Sequence, residues 1–230
     1  MSHSVPIHLH PTAPLAERVL LPGDPGRALA IAQALLQEPR MFNHNRGLWG
    51  YTGTAPDGLA LSIQSTGMGG PSAAIVLSEL IALGARRAIR VGTCGALADG
   101  LALGRLVIAR EAICADGTSQ ALGAGERAAA DPGLTDALRL HAPSALLGTI
   151  VSVDLFYGGD DRVQHPDAVA VEMEAAALFA TGAAAGVPVA CMLAVSDTFD
   201  AHAKRTRIED QALVDAAEAM GRAAIAALSG

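Results

Sequence analysis

RAIRVGTCGAL, residues 87–97, is the stretch on which the fold turns. Ala88, Ile89 and Val91 suit the interior of a buried strand. Gly92 and Gly95 permit backbone angles and close approaches that a side chain would block, so the strand is expected to feed a tight turn. In an open α/β sheet, ligands bind where strands end, which turns Arg90, Thr93 and the amides of that turn towards a pocket. An anion suits them best: arginine offers a planar fork of donors, threonine a hydroxyl, and a glycine turn a nest of N–H groups. Glycine turns after strands are common, and an arginine at a strand end is as often merely solvated, so the rest of the chain has to carry the reading.

The 230 residues, 51% of them hydrophobic, are enough for one large α/β domain with a sizeable core. The best apolar run, Ala73 to Ala85, is too short to span a bilayer and contains Glu79. MSHSVPIHLHP lacks the charged and then apolar pattern of a secretory signal, so the cytoplasm is the expected location and no membrane partner is expected. Cys94, Cys114 and Cys191 form no C-x-x-C pair and leave an odd count, which argues against both a disulfide framework and a cysteine-based zinc site. A net charge of −7 without a Lys/Arg run disfavours a nucleic-acid surface. It remains compatible with a small anion held by a few local arginines.

Working outward, His3, His8 and His10 in the lead invite a metal reading, but no carboxylate or further histidine stands at ligand spacing. A strand Arg18–Leu21 runs into LPGDPGRA (21–28), where Arg27 opens a helix through Leu36. That helix start is either an anion seat or an ordinary strand-to-helix turn. Segments 47–54 and 59–65 read as a hairpin, preceded by His44-Asn45-Arg46-Gly47. Gly67, Gly69 and Gly70 then precede a helix from Pro71 or Ser72 to Leu83, in a turn that passes close to a ligand or simply packs. Segment 104–109 reads as a strand and 134–140 as a helix; the rest of the stretch to residue 147 is uninformative.

The late third is richer. Segment 150–156 reads as a strand ending in Phe156-Tyr157, and 168–171 as a strand leading into Glu172-Met173-Glu174 and a helix 175–185. A Glu-x-Glu pair is usually solvated or complements a helix dipole, but here it lies between two apolar elements. At least one carboxylate is therefore expected to be partly buried, where the hydroxyls of a sugar would satisfy it. Segment 187–195 is a strongly apolar strand ending in Ser196-Asp197-Thr198; Asp197 is either a proton donor or a helix cap. Residues 208–228 have the spacing of a closing amphipathic helix. With no repeat, linker or composition break, residues 1–230 are read as a single domain.

Taken together, LPGDPGRA (21–28), STGMGGPSA (65–73), RVGTCGAL (90–97), VEMEAAALF (171–179) and AVSDT (194–198) resemble the nucleoside phosphorylase family, which includes bacterial hexameric purine nucleoside phosphorylases and uridine phosphorylases. The motifs stand in family order over nearly the whole chain. The resemblance implies an α/β fold, three-layer α/β/α with a mixed central sheet. It also implies a homo-oligomer, a trimer-of-dimers hexamer in the purine branch, with no cofactor and inorganic phosphate as co-substrate. Phosphate would be held by the Gly23 amide, Arg27, Arg90 and Thr93, and by Arg46 donated across a dimer interface. His8 would cross the same interface to the sugar end. Glu174 would hold the ribose hydroxyls, with Met173 against the sugar and Glu172 near it. Phe156 would pack on the base, and Asp197, beside Ser196, would protonate a departing purine at N7.

Such a site suits cleavage of an N-glycosidic bond, which builds positive charge on the ribose and negative charge on the base. Asp197→Asn is expected to impair turnover more than binding, and Arg90→Ala chiefly to destroy phosphate use. Thr93 is the residue associated with uridine phosphorylases, but the Gln-x-Arg pair of that branch has no counterpart, since Arg162 and Gln164 stand in the wrong order. Ser196-Asp197 and SVDLFY favour the purine branch. Where purine enzymes place an arginine after the acid, this chain has Asp210; either Arg205 or Arg207 substitutes, or proton donation works differently. A phosphate-independent nucleosidase is disfavoured by Arg27, Arg46 and Arg90, a non-catalytic nucleoside-binding protein by the intact Asp197, and a Rossmann dehydrogenase by the lack of G-x-G-x-x-G.

Overall fold

The computed structural model describes residues 6–157, 165–200 and 204–230. Its axis is β5 (Arg87–Ala96), which is longer than the sequence suggests. One edge of β5 runs parallel to β10 (Val189–Phe199) from Ala88 to Gly95. The other edge is shared: β1 (Arg18–Leu21) pairs in parallel up to Arg90, and β9 (Ala170–Glu172) pairs antiparallel with Gly95 and Ala96. Between Arg90 and Gly95 that edge has no strand partner among the described residues. A gap of this kind, where neighbouring strands diverge, is where open α/β sheets place their ligands.

The tight turn expected at Gly92 and Gly95 is not there. Both glycines lie inside β5, neither has a positive φ, and both are in register with β10. Continuous pairing to β10 holds the strand extended through the whole motif, so the amide nest cannot form at this point. The glycines are needed for close approach. A Cβ on Gly95 would stand 3.2 Å from Val171 and 3.3 Å from the Phe199 ring.

β6 (Leu106–Ala115) pairs with β10 and with β8 (Leu146–Val153), which pairs with β9. Strands β5, β10, β6, β8 and β9 therefore close on themselves. Beyond β1 the sheet continues through β4 (Ala60–Gln64), β3 (Gly50–Thr54) and β2 (Gln37–Asn43); β3 and β4 form the expected hairpin. The short strands β7 (Arg127–Ala129) and β11 (Arg205–Arg207) pair with β6 and β10. Six helices accompany the sheet among the described residues. α2 (Gly70–Leu83) and α5 (Ala175–Ala185) bury Val76, Leu77, Leu80, Leu178 and Phe179 on one face, with the short α3 (Gly117–Ala121) beside them. α1 (Pro25–Leu35), α4 (Pro132–His141) and α6 (Asp210–Leu228) bury Ile31, Leu35, Leu138 and Met220 on the other. The result is a three-layer α/β/α arrangement around a mixed sheet. No described helix is long and apolar enough to cross a membrane.

Local chemistry sets the helix starts. Asp24 caps α1 by accepting from the Arg27 amide at 2.7 Å, with Pro25 in the first turn. Asp197 caps nothing, because β10 continues past it to Phe199 and α6 begins only at Asp210. Phe156 lies beyond the end of β8, outside the strand expected to carry it.

The first turn of the sheet is locked by a buried guanidinium. Arg18 donates to Asp57 at 2.5 and 2.6 Å and to the carbonyls of Leu59 and Ala60, and Ser229 also donates to Asp57. The Arg18 hydrogen bonds hold the Asp57 carboxyl well below its ordinary value. A depressed native value means this stabilisation is present in full above the unfolded-state value of 3.8 and fades as pH falls through the native one. Asp57→Asn, which leaves Arg18 buried without its counter-charge, is expected to cost about 2 kcal/mol. Differential scanning calorimetry at neutral pH should show a melting point lower by roughly 4–8 °C.

Candidate active site

The gap on the edge of β5 is filled by charge. Arg90, buried, donates through Nε to Glu172 Oε2 at 3.0 Å and through Nη2 to Glu174 Oε2. Burial alone would weaken the guanidinium's hold on its proton, but Glu174 and then Glu172 outweigh burial and raise it, so Arg90 is permanently charged. Gly92 makes this pose possible, because a Cβ there would stand 2.7 Å from Arg90 Cζ. Gly92→Ala is therefore expected to displace the guanidinium by a good fraction of an ångström. Initial-rate kinetics should show roughly a hundredfold loss of kcat/KM with the melting transition still cooperative.

Two buried donors stay open. Arg90 Nη1 and Arg27 Nη1 are both shielded from solvent with no hydrogen-bond partner among the described residues. They belong to one site: a Cβ on Gly23 would stand 3.8 Å from Arg90 Nη1, and Arg27 is lowered by burial and then by the charge of Arg90. Unpaired buried N–H groups are costly, and two on neighbouring cations form a receptor for the oxygens of an anion. Thr93 is half-buried three residues further along β5, and its hydroxyl makes no hydrogen bond among the described residues.

The two glutamates have separate duties. Glu172 accepts from Ser152, from Arg90 and from the amides of Glu174 and Ala175, so all four of its acceptor positions are occupied. It caps α5 and holds Arg90, and has nothing free for a nucleoside. Glu174 accepts from the Gly69 amide at 2.6 Å on one oxygen and from Arg90 on the other, which leaves one lone pair on each. Met173 is half-buried between them.

At the far end of the gap, Asp197 is buried beside Ser196, which donates to its Oδ2 at 2.7 Å. A bulge between Val195 and Asp197 sets this pair against the end of β5. Asp197 Oδ1 is buried without a hydrogen bond, and Arg205 Nε stands 3.8 Å away. The Arg205 guanidinium lies 4.4 Å from the centre of the half-exposed Phe156 ring and 5.4 Å from that of Phe199.

His8 and Arg46 form a second group. Glu79 of α2 accepts from the amides of Ile7, His8 and Leu9 and pairs with His8 Nδ1 at 2.7 Å. Burial would raise the Glu79 carboxyl, but His8 and these amides hold it below its ordinary range. Asn45 donates to the His8 carbonyl at 2.9 Å, tying this segment to the 3₁₀ turn Asn45–Gly47. Within that turn Arg46 has φ 58°, in the left-handed region, and an exposed guanidinium with no partner among the described residues. None of the described contacts of His8 or Arg46 reaches the Arg90 cluster of the same chain.

The family described as Phosphorylase superfamily matches residues 17–229. The chain belongs to that superfamily. It is 38% identical over 206 residues to a "Purine nucleoside phosphorylase DeoD-type" of Clostridium beijerinckii, covering 84% of this chain and 86% of the relative. A protein of the same description from Alkaliphilus metalliredigens is 35% identical over 212 residues, covering 86% and 89%. One from Geobacillus kaustophilus is 35% identical over 201 residues, covering 81% and 83%.

Within this superfamily member the structure adds residues that sequence reading passed over. Ser152 bridges Glu172 and the Ala176 amide, and its signal was its place in SVDLFY, from which only the aromatic residue was taken. Gly69 and Gly92 stand out in the sequence as glycines that allow close approach, but not their partners: the Gly69 amide donates to Glu174, and Gly92 makes room for Arg90. Arg162 and Gln164 lie outside the described residues. No cluster of three or more potential metal ligands occurs among the described residues.

Proposed function

We propose that the protein catalyses phosphorolysis of purine nucleosides, releasing the free base and ribose 1-phosphate. The observation that carries this reading is the pair of buried, unpartnered guanidinium N–H groups of Arg27 and Arg90 beside a carboxylate, Glu174, that keeps acceptor capacity. Phosphate would seat on Arg27, Arg90, the Gly23 amide and Thr93. Glu174 would accept from the 2′- and 3′-hydroxyls, with Met173 against the sugar. As the C1′–N9 bond lengthens, the ribose becomes cationic above the phosphate, and a phosphate oxygen forms the new bond to C1′. The bonding electrons leave with the base, which takes a proton at N7 from Asp197, while Phe156 packs on the ring. No cofactor enters the scheme.

The same reading makes the working unit a homo-oligomer, a hexamer built from dimers, in the cytoplasm. Arg46, held in a left-handed conformation without a partner, and His8, tied to the same turn, would serve the neighbouring subunit. Incubating the purified protein with inosine, adenosine, guanosine and uridine, each with and without phosphate, tests the reading. Phosphate-dependent release of purine bases is expected. Uracil alone would move the chain to the uridine branch, and cleavage without phosphate would make it a nucleosidase.

A further inference from the structure

Ser152 takes no part in the scheme above, yet the open donor of Arg90 depends on it at one remove. The residue is fully buried on β8, whose parallel pairing with β9 puts it in register with Glu172. Its Oγ accepts from the Ala176 amide, in the first turn of α5, at 2.9 Å. A serine hydroxyl has one proton to give, and here it goes to Glu172 Oε1. Besides Arg90 itself, Ser152 is the one partner of Glu172, among the described residues, that lies outside the junction of β9 with α5. The amides of Glu174 and Ala175 belong to that junction and shift with it, whereas Ser152 ties the carboxylate to the sheet.

We propose that Ser152 is a positioning residue for phosphate, acting through Glu172 on Arg90, an inference that rests on the phosphorolysis reading. A guanidinium is planar and rigid, so Nε held on Glu172 and Nη2 held on Glu174 leave Nη1 a single direction. Glu174 has to serve the ribose hydroxyls as well, and among the described residues its other hydrogen bond comes from the Gly69 amide alone. Glu172, with every acceptor position filled, is the firmer of the two anchors, and Ser152 sets its aim. Without the hydroxyl, Glu172 Oε1 keeps only the Ala175 amide, and the Ala176 amide loses its acceptor. An anion site works by having its donors in place beforehand, so a loosened Arg90 weakens the hold on phosphate before it affects the nucleoside.

The test is the KM for phosphate and the KM for inosine, each at saturating co-substrate, in the wild type, Ser152→Ala, Ser152→Cys and Asp57→Asn, with melting points on the same samples. KM does not depend on the fraction of enzyme that is folded. Phosphate KM should rise roughly tenfold in Ser152→Ala, with inosine KM within about twofold of wild type. Cysteine keeps the shape of serine with a weaker donor, so Ser152→Cys should raise phosphate KM by a smaller factor; it carries the comparison if the alanine variant does not fold. Asp57→Asn, which loosens the fold at the opposite end of β1, should melt lower and leave both KM values unchanged. An unchanged phosphate KM in the Ser152 variants, or an equal rise for both substrates, overturns the positioning role while leaving phosphorolysis intact. No phosphate-dependent release of base by the wild type overturns both.

Discussion

Arg90→Ala is expected to lose about 10³-fold in phosphate-dependent kcat/KM and to melt at a distinctly lower temperature. The double effect follows from its two sets of contacts. Nη1 is one of the two open donors of the anion site, and its removal takes a preorganised charge from the place where the nucleophile sits. Nε and Nη2 neutralise Glu172 and Glu174, both buried, and without them two carboxylates face each other in a dry site. Breaking a buried pair in this way typically costs about 3–5 kcal/mol. To the expectation from sequence, chiefly a loss of phosphate use, the contacts of Nε and Nη2 add a loss of stability. Arg27→Met separates the two effects, because Arg27 has no ion pair with either glutamate. Its phosphate KM should rise by one to two orders of magnitude with little change in melting point, as steady-state kinetics and calorimetry on the same samples would show.

Asp197→Asn should lower kcat by roughly 10²–10⁴ while leaving the nucleoside KM within a few-fold of wild type. Asparagine keeps the shape of the side chain and can still donate a hydrogen bond, but it cannot transfer a proton to N7. Asp197 Oδ1 is buried and takes no hydrogen bond among the described residues, and its ion pair with Arg205 Nε is long at 3.8 Å, so the substitution gives up little that holds the fold together. A nucleoside with a leaving group that needs no proton should be cleaved by the variant almost as fast as by the wild type. A loss equal for good and poor leaving groups would assign Asp197 to binding instead.

Much of this was legible before any coordinates, for identifiable reasons. LPGDPGRA announces its helix because Asp24 and Pro25 are local signals that act within one turn. The Glu172 and Glu174 pair stood out because carboxylates between apolar elements need partners. Gly92 and Gly95 misled, since glycine marks both a turn and a strand that something approaches closely, and only the ladder to β10 decides between them. β2 was invisible because QEPRMFN is mostly exposed, contains proline and does not alternate. β11, three exposed residues, exists only because β10 offers it an edge, so Arg205 could not be placed beside Asp197 from sequence alone. The division of labour between the two glutamates depends on Ser152 and Gly69, distant in the chain.

The central claim is that the open donors of Arg27 and Arg90 hold the nucleophile, and that this nucleophile is phosphate. The most direct measurement is to run the reaction on inosine with 18O-labelled phosphate and analyse the sugar product by mass spectrometry. Ribose 1-phosphate carrying all four labelled oxygens is predicted, because a phosphate oxygen forms the bond to C1′ and no P–O bond breaks. Free ribose carrying an oxygen from solvent, with the labelled phosphate unconsumed, would contradict the account.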